Sequence, residues 1–142
     1  MLLFIASTLT WAAPADIIDP RPAGGWIVDE ADILDDEMEA RLNERITKLE
    51  EDTTVEIIIV TIEDTDMVPK EYATTLFNHA TIGKAASNNG LLVLMVMGQR
   101  RLEMETGYGM EQILTDRWLG NMQGQQMVPM FRAGDFGAGI EA

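Results

Sequence analysis

Residues 55–62 form an apolar run built almost entirely of β-branched side chains, broken by a single charge at Glu56. A run of that length without alternation is the pattern of a strand covered on both faces. A second run, 91–97, reads Leu-Leu-Val-Leu-Met-Val-Met and stops at Gly98. Between the two, Pro69 suits the first turn of a helix, where a missing N–H costs nothing, and Tyr72, Ala73, Leu76, Phe77 and Ala80 supply that helix's inner face. Strand, helix and strand in this order predict a βαβ unit with parallel strands and a right-handed crossover. Gly98, Gln99 and Arg100 then turn the chain into 101–106. There Leu102, Met104 and Thr106 alternate with Glu103 and Glu105, the period of an antiparallel edge hairpin with one wet face.

Helical periodicity flanks this unit. Asp35 and Asp36 offer an N-cap, and Met38, Leu42, Ile46 and Leu49 set one apolar stripe on a helix ending near Glu51. Thr115 or Asp116 caps a last helix carrying Trp118, Leu119, Met122, Met127 and Met130, which ends near Ala133 and Gly134, with Pro129 placed to kink it. Residues 16–25 hold Pro20, Pro22 and a glycine pair, which suit a linker. Residues 1–15 join an apolar run (Leu2, Leu3, Phe4, Ile5, Leu9, Trp11) to the small residues Ala12 and Ala13. The run is too short to span a bilayer and has the form of a secretory signal, although no Lys or Arg precedes it. The sequence therefore divides into a signal at 1–15, a linker at 16–25 and one α/β domain at 26–142. Export to a periplasmic or extracellular space is expected, with a mature domain that does not span the membrane.

Composition narrows the chemistry. The 142 residues suffice for one core, and the absence of cysteine excludes disulfides, thiolate metal sites and cysteine nucleophiles. A formal charge of −14 repels a phosphate backbone, so nucleic acid is not an expected partner. The same carboxylate excess suits calcium or another hard divalent cation, which prefers oxygen ligands; the alternative reading is solubility alone.

The element order brings two loops to one rim. If the second strand runs parallel to the first and the third runs back beside it, 87–90 lies beside 107–116. Asn88 and Asn89 then offer amide carbonyls, Glu111 and Asp116 offer carboxylates, and Gly90, Gly107 and Gly109 permit close backbone approach. Asp52, Thr53 and Thr54 fall near the same rim, while 63–66 joins Asp29, Asp32 and Asp35 at the opposite end. Against the rim as a metal site, Asn88 to Gly90 is also an ordinary turn signal and Asp116 an ordinary N-cap. His79 is the only histidine and reads as structural, and the ten methionines fall at apolar positions as core filler. Neither a nucleophile elbow nor a phosphate-binding loop is present, and Gln112 stands where a dinucleotide fingerprint requires its third glycine.

Four stretches together resemble the TPM domain family: Val28-Asp29-Glu30-Ala31-Asp32-Ile33-Leu34, Asn88-Asn89-Gly90-Leu91-Leu92, Glu105 through Glu111 with Leu114-Thr115-Asp116, and Phe131-Arg132-Ala133-Gly134-Asp135-Phe136. The family pattern more often has Asp at or beside Asn88, which here leaves a metal site one charge weaker, and Tyr at Phe136. The resemblance implies a three-layer α/β/α sandwich with a mixed sheet, an exported location and an accessory role beside a membrane protein complex or receptor. It also implies calcium binding or, alternatively, acid phosphatase activity; the rim reading assigns the cation to Asn88, Asn89, Glu111 and Asp116, and the general acid of a phosphatase to Asp116 or Glu111. Many members carry a hydrophobic segment or glycine-rich tail after the domain; a chain ending at Ala142 without either reads as a short member or a truncated one.

Overall fold

The computed structural model describes residues 10–142, so residues 1–9 of the signal expected at 1–15 lie outside the described residues. Four strands form one mixed sheet in the order β1 (Ile27–Asp29), β2 (Glu56–Ile62), β3 (Gly90–Val96), β4 (Arg101–Thr106). β1, β2 and β3 are parallel and β4 is antiparallel to β3, with Ile59 level with both Ile27 and Val93, and Val93 level with Met104. The expected parallel pair and edge hairpin are therefore both present. β1 adds a third parallel strand that periodicity does not reveal, since three residues are too few to show a period.

Helix α1 (Asp36–Thr53) begins where Asp35 accepts a hydrogen bond from the Met38 N–H at 2.7 Å. Its Leu42 and Ile46 cover the sheet face bearing Ile59, Leu91 and Val93. Helix α2 (Pro69–Ala80) covers the other face, setting Tyr72, Ala73 and Leu76 against Ile58, Val60, Leu92 and Leu94. Both crossovers step the same way along the sheet yet lie on opposite faces, so they have opposite hands and one departs from the right-handed rule.

The expected single last helix is broken. α3 (Asp116–Met122) passes through a π-helical turn, Gln123–Met127, into α4 (Val128–Arg132), and a further helix, α5 (Phe136–Glu141), follows. An unbroken α-helix through Pro129 would lose a hydrogen bond and drive the ring into the preceding turn; the wider π turn ends just before it. α5 returns to α1, where Glu141 bridges Arg41 and Arg45 at 3.0 and 3.2 Å. The layers are α2, the sheet, and α1 with α3 to α5.

Residues 16–25, expected as a linker, are packed on the domain. A 3-10 turn at Pro14–Asp16 leads Ile17 into the α2-side core, and the Tyr72 hydroxyl donates to the Ala12 carbonyl at 2.9 Å. Burial raises the Tyr72 pKa to about 12, with Asp16 and Glu30 adding to the rise. Among the described residues, no helix is long and apolar enough to cross a membrane.

Candidate functional site

The rim at the amino ends of β2 and β3 forms as the strand order requires. The Gly107 N–H donates to the Gly90 carbonyl and the Gly109 N–H to the Asn88 carbonyl, each at 3.0 Å, which ties the two loops together. A Cβ on Gly107 would collide with the Asn88 carbonyl, and one on Gly109 with the Ser87 carbonyl. Neither glycine has positive φ. Close approach, rather than backbone handedness, is the reason for glycine here.

The four site residues fare differently. Asn88, in the left-handed region at φ 47°, is exposed, as are Glu111 and Asp116. Asn89 is buried and committed: its Oδ1 accepts from the Lys84 N–H and its Nδ2 donates to Thr54 Oγ1, both at 2.9 Å. Its amide holds the loop to the end of α1. Thr115, not Asp116, is the N-cap of α3, accepting from the Trp118 N–H at 3.2 Å. Asp116 is therefore the first helical residue with its side chain exposed. Among the described residues, no three Asp, Glu, His or Cys side chains gather as a ready metal cage. The loop also exposes Tyr108, Ile113 and Trp118, the first two by 81% and 70%, an apolar fringe beside the two carboxylates.

Beneath the rim is a cluster that the sequence signals only through the lone charge in β2. Glu56 is buried, takes the Gly83 N–H at 2.7 Å and Arg21 at 2.8 Å on Oε2, and takes Lys84 at 3.0 Å on Oε1. Burial would raise its pKa, but the Lys84 ammonium, the Gly83 amide and Arg21 together hold it below the usual glutamate value. Arg21 also donates to the Ala80 and Thr81 carbonyls and pairs with Asp19, so the 19–21 segment is stapled to the end of α2.

At the opposite end, Asp29 organises its own loop. It accepts from the Thr61 hydroxyl and from the Ile33 and Leu34 amides, at 3.2 and 2.8 Å for the amides. Partial burial, with Asp29, Asp36 and Asp32 nearby, raises the pKa of Glu39. Asp64 at the end of β2 accepts from Gln99 at 2.8 Å and from the Thr65 amide, which lowers its pKa. These acids secure turns.

A sequence profile described as the TPM domain matches residues 27–142, nearly all of the described domain. The chain belongs to the TPM domain family. The structure of this TPM domain is similar to the N-terminal domain of a protein from P.gingivalis, with a TM-score of 0.84 and 30% identity over 93% of this chain and 86% of that one. It also resembles BA42 from the psychrophilic bacterium Bizionia argentinensis, with a TM-score of 0.64 and 19% identity over 75% of this chain and 73% of that one. The N-terminal domain of cg2496 from Corynebacterium glutamicum has a TM-score of 0.63 and 12% identity over 81% of this chain and 72% of that one. At these lower identities the last two show the shared fold alone. No curated protein matches the chain.

Proposed function

We propose that this TPM domain is an exported binding module acting beside a membrane protein complex, and that its amino-end rim takes up a divalent cation, calcium foremost. The observation that supports this reading is the tied pair of loops, in which the Gly109 amide on the Asn88 carbonyl sets the loop of Asn88 beside the loop that leads through Glu111 to Asp116, with all three side chains exposed. Their oxygens suit a hard cation. Asn89, its amide already engaged, leaves the ligand set, and two carboxylates with one amide correspond to weak, extracellular-type sites of about 10⁻⁴–10⁻³ M. Exposed Tyr108 and Ile113 flank the carboxylates and provide the apolar contact for a partner. Acid phosphatase chemistry on Asp116 or Glu111 has less support. Phosphoryl transfer draws on cationic clamps; the loop's Lys84 is held by Glu50 and Glu56 at 2.8 and 3.0 Å, which leaves Arg117, next to Asp116, to act alone.

Calorimetric titration with calcium tests the cation. Heat of binding and a rise in melting temperature are expected in the wild type, with both lost in Glu111→Gln, because a ligand that binds only the native state stabilises it by mass action. No heat and no melting shift at millimolar calcium would remove the metal. Equal shifts in wild type and Glu111→Gln would place it elsewhere.

A further inference from the structure

Ten Lys and Arg side chains face 24 carboxylates in this chain, yet not every cation is paired. Arg21, Arg41, Arg45, Arg101 and all three lysines form ion pairs. Among the described residues Arg100, Arg117 and Arg132 form none, and residues 1–9 contain no Asp or Glu. Two of these three, Arg100 and Arg132, line one cavity of about 660 Å³. It lies between the β3–β4 turn and α4, away from the rim described above. Its walls are apolar: Met95 and Leu102 from the sheet, Val128 and Phe131 from α4, and Phe136 from α5.

We propose that this cavity binds a single-chain amphiphilic anion, its carboxylate or phosphate head on Arg100 and Arg132 and its hydrocarbon chain against Met95, Leu102 and Phe131. The volume falls in the range of small-molecule sites, about 300–1,000 Å³, and an apolar lining with a few charged groups is their usual chemistry. Arg100 occupies the turn at φ 52°, a conformation glycine would adopt without strain. Arg101 adds little to head binding, being paired with Glu103 at 2.6 Å. The negative charge of the molecule opposes an anion only over short range, because the Debye length is about 10 Å at 0.1 M salt.

The test is titration of the full chain with monomeric decanoate, followed by amide NMR shifts and melting temperature. Decyl maltoside serves as the neutral control and decyltrimethylammonium as the cationic one. Decanoate should shift the amides of 95–102 and 128–136, raise the melting temperature and bind at least roughly tenfold more tightly than either control, the contribution of one charge-assisted hydrogen bond. Arg100→Gln with Arg132→Gln should weaken decanoate binding by at least roughly tenfold, to the level of the neutral control, while Val128→Trp should block the chain and leave both arginines in place. Because Arg100 and Arg132 are exposed, the double variant should melt as the wild type does without ligand. Equal binding of decanoate and the maltoside, or undiminished binding by the double variant, would overturn the assignment. Capture by phosphatidylglycerol vesicles without binding of monomeric decanoate would also overturn it, in favour of a lipid surface.

Discussion

Glu56 is the one charged side chain in a strand otherwise made of isoleucine, valine and threonine, and it is only 6% exposed. Its two oxygens take two cations and an amide; truncation would leave the Gly83 amide without its acceptor, while Arg21 keeps Asp19 and Lys84 keeps Glu50. Glu56→Ala should cost about 1–3 kcal/mol in denaturant unfolding, the magnitude of leaving a buried donor without its acceptor. The pH dependence has a definite sign. Because the folded pKa of Glu56 lies below its ordinary value, its stabilisation is complete above the ordinary glutamate range and fades as pH falls through the lowered folded value. Acid titration of wild type against Glu56→Gln should therefore show the gap between their unfolding midpoints closing at low pH. A constant gap would mean that the contribution of Glu56 is not ionic.

Among the elements, two glycines give opposite expectations. Gly109 backs onto the Ser87 carbonyl, so Gly109→Ala must part the rim loops. It should lower the melting temperature and, if the rim holds calcium, weaken the calcium response as well. Gly120 lies in α3 with nothing within 4 Å of an added Cβ, and Gly120→Ala should stabilise by about 0.5–1 kcal/mol. Thermal melts of the two variants check both signs. The Asp35 cap, the Pro69 start, the parallel pair and the edge hairpin were legible in the sequence because each rests on local chemistry or on a period several residues long. α5 was not, since Phe-Gly-Ala-Gly-Ile-Glu has poor helix propensity. Its glycines serve packing instead: a Cβ at Gly137 would meet Met38, and one at Gly139 would meet Phe131. The rim loops were also legible, because strand direction fixes which loops are neighbours. The commitment of Asn89 and the pairing of Arg100 with Arg132 in one cavity were not, since both depend on side chains brought together by tertiary packing.

Across the whole molecule, each strand pairs with the strand next to it in sequence, in the order β1, β2, β3, β4. Such an order keeps loop closures short, and closure entropy grows with the length of chain enclosed. The β3–β4 hairpin, joined by a tight turn, is the cheapest contact to make. β2 can add to it once α2 has formed, whereas β1 must wait for α1 and contributes only three residues. The molecule should thus acquire its protection from the carboxyl-terminal side of the sheet toward the amino-terminal side. In native-state hydrogen exchange, the amides that pair β2 with β3 should open only with global unfolding. Those linking β1 to β2, such as the Ile59 N–H on the Trp26 carbonyl at 2.9 Å, should exchange through a smaller local opening. Equal protection in all three strands would show instead that the sheet opens as one unit. The short parallel edge at β1 would then be held as firmly as the centre, by the packed 10–25 segment beside it.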